Sequence, residues 1–173
     1  MARSETAVRA ETNGHVGHVR VVKRDAHTGN VLFDGTFKNQ IQTYALQQAA
    51  AMWAGQYVPP INQIQVGTGS PPSGQTGTTP NDGGLWTPLA GTRLTVDYAD
   101  VWLSVYTQWS VTYDQTQCLG TISSSNPNGQ ITLTEAALLD ATGACISHVI
   151  LNGVTHDNQS TLMIQWQVLQ QGN

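Results

Sequence analysis

The sequence predicts a mainly β domain: a β-sandwich or jelly-roll-like fold with one helix at about 40–54 and an extended N-terminal arm over 1–16. Three observations lead there. Apolar and polar residues alternate through several segments, most clearly at Leu162, Ile164, Trp166 and Val168. Only one stretch repeats at helical spacing. The 173 residues, of which 10% are charged, suit one domain with a polar but largely uncharged surface, since an average soluble domain is roughly 25% charged. Gln (17), Thr (21) and Gly (17) stand where ions usually do.

The elements follow in chain order. Residues 1–16 have only Val8 and Val16 as sizeable aliphatics, too little apolar surface to fold alone, and read as an arm. The domain occupies 17–173. His18–Arg24 alternates as a short strand, Asp25-Ala26-His27-Thr28-Gly29-Asn30 is turn chemistry, and Val31–Lys38 returns, giving a β-hairpin. Asn39 is the N-cap candidate for the helix, whose face is Ile41, Ala45, Ala49 and Met52/Trp53, with Gly55 as its stop. Ile64 and Val66 then alternate as a strand. Residues 67–84, with six Gly and three Pro, read as a long exposed loop.

The second half is strand-rich. Val101 to Tyr113 alternates over its whole length. Thr116–Ser123 is a short strand before a Ser/Asn/Pro/Gly turn. Ile131–Leu133 alternates, Glu135–Leu139 is compact and apolar, and Ala144–Leu151 follows a turn at Asp140–Gly143. With the closing strand at Leu162–Val168, this makes seven or eight strands and one helix.

Charge is spread unevenly. Residues 1–38 hold six of the seven basic side chains (Arg3, Arg9, Arg20, Lys23, Arg24 and Lys38), whereas Leu94–Asn173 has six acids and no Lys or Arg. A basic head meeting an acidic face of a neighbour is the contact this asymmetry predicts, with Arg3, Arg9, Arg20, Lys23 and Arg24 as its residues. The net charge of −4 gives no support to nucleic-acid binding. No apolar run reaches the roughly 18 residues of a membrane helix, so no membrane partner is expected. The start, Met-Ala-Arg-Ser-Glu-Thr, lacks the pattern of a secretory signal and predicts synthesis in the cytoplasm.

Catalytic chemistry finds no foothold. Gly67-Thr68-Gly69-Ser70-Pro71-Pro72 lacks the lysine and the helix start of a phosphate loop. No Gly-x-Ser-x-Gly elbow accompanies the serines and histidines. His15 and His18 lack further ligands at metal spacing, and His148 and His156 are read as flanking a strand turn. Cys118 and Cys145 either pair or remain buried thiols. Glu135 has no partner carboxylate at glycosidase spacing. Of the tryptophans, Trp53, Trp109 and Trp166 read as core, while Trp86 and Trp102 are the candidates for an exposed aromatic contact, including one with a saccharide. No enzyme activity, cofactor or metal is expected.

Several of these segments, in this order, carry a resemblance. Val21–Val31 runs into Phe37-Lys38-Asn39-Gln40-Ile41; Gln65-Val66-Gly67-Thr68-Gly69-Ser70-Pro71-Pro72 precedes a Thr/Gly/Pro loop; Ile131-Thr132-Leu133-Thr134-Glu135-Ala136-Ala137-Leu138-Leu139-Asp140 comes later, then Leu162–Val168. Over about residues 19–169 this resembles small structural proteins of tailed bacteriophages. Ala137 stands where that group usually has Gly. The resemblance implies a virion component made in the host cytoplasm. A free-standing domain with an arm and no shaft repeat fits a capsid decoration (cement) protein, a homotrimer seated on the major capsid protein. The alternatives are a small collar, baseplate or tail-fibre-attachment protein contacting tail or collar proteins, and a carbohydrate-binding module.

Overall fold

The computed structural model describes residues 15–96, 98–102, 112–122 and 129–172. Among these run nine strands and one helix: β1 (His15–Asp25), β2 (Val31–Ile41), α1 (Thr43–Trp53), β3 (Ile61–Gly67), β4 (Leu94–Thr95), β5 (Tyr98–Trp102), β6 (Thr112–Ile122), β7 (Ile131–Asp140), β8 (Cys145–His156) and β9 (Ser160–Gly172). They form one antiparallel sheet in the order β4-β3-β7-β8-β2-β1-β9-β6-β5. The domain is mainly β with one short helix, as the alternation predicts.

The sheet curls until its two ends nearly meet. β6 packs back against β3 and β4. Gly120 of β6 lies so close to β3 that a Cβ there would stand 3.2 Å from Ile64 Cδ1. The two edge strands β4 and β5 are consecutive in the chain. The opposite corner is β2, which pairs with β1 through Val31–Asn39 and with β8 through Gln40 and Ile41. One core fills the curl. Val19, Val21, Leu162, Ile164 and Trp166 come from one side, and Ile64, Val66, Leu133, Leu138, Val149 and Leu151 from the other. Full burial of an aliphatic side chain of this size contributes about 1.5–3 kcal/mol.

The hairpin forms as its turn residues predict. The Asp25 side chain accepts the His27 and Thr28 N–H groups at 2.9 and 2.7 Å, and Gly29 takes φ 73°. β9 buries Leu162, Ile164 and Trp166 as its alternation requires. Other expectations are corrected. β1 begins at His15, inside the stretch assigned to the arm, while residues 1–14 lie outside the described ones. Ile131–Leu133 and Glu135–Leu139 belong to one strand, with a register shift between Leu133 and Glu135. Ala137, where the resemblance has Gly, is a buried mid-strand residue opposite Gln65 and His148, and no turn occurs there. The series from Val101 to Tyr113 lies mostly outside the described residues, and Trp109 with it.

The helix differs most. It spans Thr43–Trp53 rather than 40–54, and its N-cap is Gln42, not Asn39. Asn39 lies within β2 instead: it is buried, and its amide donates to Ser147 Oγ at 2.6 Å. The predicted stop holds, since Gly55 has φ 74° and its N–H donates to the Met52 carbonyl. No residue of α1 is buried, and Trp53 is 80% exposed. The core is filled by strand side chains, and α1 packs on it from outside through Tyr44, Ala45 and Leu46, which are partly buried.

Candidate functional site

The most highly organised polar group in the structure lies inside it. Glu135 on β7 stands opposite Ile150, and His148 on β8 stands opposite Ala137, so the two side chains are diagonal neighbours on one face of the sheet. Both are fully buried. Glu135 Oε2 meets His148 Nε2 at 2.9 Å, and His148 Nδ1 meets Asp82 Oδ2 at 3.3 Å. Each ring nitrogen thus faces a carboxylate oxygen. A ring with protons on both nitrogens donates to both; a neutral ring satisfies one.

Glu135 does more than hold the histidine. Its Oε1 accepts the N–H groups of Gly69 and Thr87 at 2.9 and 2.8 Å, and its Oε2 accepts that of Trp86 at 2.9 Å. Burial pushes its carboxyl toward the neutral form. The His148 hydrogen bond, followed by the bonds from Thr87, Trp86 and Gly69, overcomes this and holds the carboxyl below its usual range. Asp82 is anchored in turn, since Thr79 donates to it through both N–H and hydroxyl, at 2.8 and 2.6 Å. The Trp86 ring packs edge-on against the His148 ring, with centroids 4.7 Å apart.

The result is a Gly- and Pro-rich segment, 68–93, tied down at Thr68–Gly69 and at several points from Thr79 to Thr92. Thr134 Oγ1 donates to the Gly69 carbonyl. Buried Gln42 donates to the Thr79 carbonyl and accepts the Gly83 N–H. Two glycines make the close approach possible. A Cβ on Gly67 would stand 2.5 Å from Glu135 Oε1 and 2.6 Å from the Thr87 carbonyl oxygen. One on Gly69 would stand 2.5 Å from the same Oε1 and 2.7 Å from Trp86 Cβ. Gly67 and Gly69 are buried, which corrects the reading of 67–84 as a wholly exposed loop.

This arrangement holds backbone. Glu135 and His148 have no solvent exposure, and the carboxylate oxygens of Glu135 are occupied by backbone N–H groups and the imidazole. Cys145, at the start of β8, is a free buried thiol pushed up to about 12, chiefly by burial, so it offers no thiolate. Asp140 is likewise structural. It accepts from Thr142, Ala144 and the Tyr44 hydroxyl, closing the β7–β8 turn. Among the described residues no three His, Cys, Asp or Glu side chains gather as a metal ion requires, and no helix is long and apolar enough to cross a membrane.

The residues singled out by the sequence scatter. Arg3 and Arg9 lie outside the described residues. Arg20 pairs with Asp34 at 2.6 Å, Lys23 with Asp157 at 3.2 Å, and Arg24 donates to the Gly29 carbonyl. Of the six acids after Leu94, Glu135 and Asp140 are interior and Asp157 is paired within the chain, so the acidic face is weaker than the sequence implies. Trp86 is half-buried against His148 rather than presented outward. Trp102 closes β5, and its side chain lies outside the described part of the structure, as does that of Cys118. His148 and His156 both belong to β8 and flank no turn.

Among the described residues the large exposed apolar side chains form two groups: Val31, Leu32 and Phe33 at the start of β2, and Met52, Trp53 and Tyr57 at and after the end of α1. Beside the second group is an apolar cavity of about 130 Å³. Comparison with protein-family models, with curated proteins and with solved structures finds no match to the chain.

Proposed function

We propose that this chain is a virion structural protein of a tailed bacteriophage, a decoration (cement) protein of the capsid. One observation carries the reading. The Val66-Gly67-Thr68-Gly69 strand end and the Glu135–Asp140 segment, two of the stretches on which the resemblance rests, meet around one buried carboxylate. Glu135 needs the close approach of a backbone without side chains, and buried Gly69 needs an acceptor for its N–H group. The two segments therefore make structural sense together, which supports a shared local fold over coincidence of composition. A domain whose interior polar groups serve to fix a loop, and whose surface is uncharged and polar, suits a building block rather than an enzyme.

The finer fold class belongs to the same reading. The two sides of the curled sheet, joined through β2 and sharing one core, are read as the layers of a sandwich- or jelly-roll-like domain. The test is a count of copies in purified virions by quantitative mass spectrometry or a stained gel. Decoration predicts several hundred copies per particle. Tens of copies would replace this reading with a collar, baseplate or tail component, and absence from the particle would end it.

A further inference from the structure

We propose that Asn152 is a site of spontaneous covalent modification, where β8 converts with time to aspartate and isoaspartate by attack of the Gly153 backbone nitrogen. The inference is independent of the virion reading. The local fold supplies the site. Register between β7 and β8 slips: Leu133 faces Val154 while Glu135 faces Ile150, so Leu151, Asn152 and Gly153 stand against Thr134 alone. On its other side β8 pairs with β2 only at Ser147 and His148. Asn152 and Gly153 therefore belong to no register pair. Asn152 takes φ 50°, the one non-glycine residue with positive φ among the described residues, and Gly153 follows at φ 83°. Both are exposed. A Cβ built on Gly153 would meet nothing nearer than Thr132 Cγ2 at 3.6 Å, so the space around this glycine is open.

The chemistry needs only these two residues and water. The Gly153 nitrogen attacks Asn152 Cγ and forms a new C–N bond. The bond from Cγ to the side-chain nitrogen breaks, and that nitrogen leaves as ammonia, carrying the proton that Gly153 gives up. One water then opens the five-membered imide. Opening at Cγ leaves aspartate; opening at the main-chain carbonyl leaves isoaspartate, whose main chain is one carbon longer. Glycine favours the attack because no Cβ crowds the closing ring. Either product puts a negative charge at the cleft that Asn152 lines together with Lys23. The other described asparagines lack this combination. Asn39 is buried and bonded to Ser147, and Asn81 accepts from the Thr43 hydroxyl. Asn30, Asn62 and Asn158 precede Val31, Gln63 and Gln159, whose side chains crowd the attacking nitrogen.

The experiment holds the full chain, folded, in warm and mildly alkaline buffer and follows every asparagine by peptide mapping with mass spectrometry. Enzymatic methylation specific for isoaspartate reads the second product. Asn152 should convert at least about tenfold faster than the other described asparagines, and Gly153→Ala should slow it by about tenfold. Thermal melts confirm that the variant is folded. Should it unfold, Asn152→Gln takes its place and should give no isoaspartate at this position. Asn13 and Asn128 also precede glycine and serve as references within the same chain. If they react while Asn152 keeps its amide, the β8 backbone blocks the attack and the inference is overturned. Conversion of Asn152 only in urea overturns it as well. So does aspartate formed without isoaspartate, which would mean direct hydrolysis with no imide.

Discussion

The loop at 68–93 and helix α1 invert what their sequences promise. The loop is polar, rich in Gly and Pro and without periodicity, yet a fully buried carboxylate holds it at three backbone positions. The helix is periodic and apolar, yet none of its residues is buried. The difference lies in what each can offer the interior. A segment of bare backbone presents N–H groups in number, and one acceptor at the right height satisfies several of them. An apolar stripe needs an apolar surface to lie on, and α1 finds one only in part, through Tyr44, Ala45 and Leu46 against the core. Burial follows the partner available, not the hydropathy of the segment.

The sharpest way to break the contrast is to remove the acceptor. Glu135→Ala should destabilise the domain by about 3–5 kcal/mol, because three loop N–H groups and an imidazole lose their partner in a fully buried site. Urea unfolding gives the figure; a loss below 1 kcal/mol would mean that the loop holds itself. Gly69→Ala comes next, at about 2–3 kcal/mol, since its Cβ would meet Glu135 Oε1 at 2.5 Å and the Thr87 nitrogen at 2.8 Å. Its signature should be faster amide exchange at Trp86 and Thr87 while the exchange of β9 is spared.

Acid offers a milder probe. The Glu135 carboxyl is held below its usual range in the folded state, so its contribution is complete above the pKa of the unfolded chain, about 4.3. That contribution is lost as pH falls through the lower folded value. Exchange of the Gly69, Trp86 and Thr87 amides should therefore accelerate below about pH 4 before the hairpin amides do. Simultaneous loss everywhere would show that the loop and barrel are one cooperative unit. The smallest effect belongs to the helix. Trp53→Ala should change the stability of the single chain, measured at low concentration, by less than about 0.5 kcal/mol. A loss of several kcal/mol would place the indole in a contact that its exposure denies.

Much of the barrel is legible because strand alternation and turn chemistry are local. Leu162, Ile164 and Trp166 announce their common face, and Asp25 and Gly29 announce the hairpin. Helix existence is equally legible, but its burial is not, since nothing within residues 43–53 says whether the barrel end is open. The Glu135–His148–Asp82 group is hidden for a related reason: its members are far apart in sequence and meet only because β7 and β8 pair and the loop folds back. One signal was available. Glu135 is a lone carboxylate between buried Leu133 and buried Ala136–Leu139, and a charge in such a place requires donors from somewhere. Twin glycines in a segment without apolar side chains were the matching half.

The pairing of β1 also fixes how the domain bears a pull. Its residues face β9 without interruption from His15↔Gln170 to Asp25↔Ser160, so the backbone enters at His15 beside the strand end that leaves at Gly172. Tension applied between these two ends opens the ladder like a zipper, one register pair at a time. Tension applied between His15 and a contact on the far, hairpin side slides β1 along both β2 and β9, and every pair resists at once. A domain of this kind is a stiff anchor when gripped at opposite ends and a weak one when gripped at its termini. Attachment geometry, more than contact area, would then decide how much load the domain can carry.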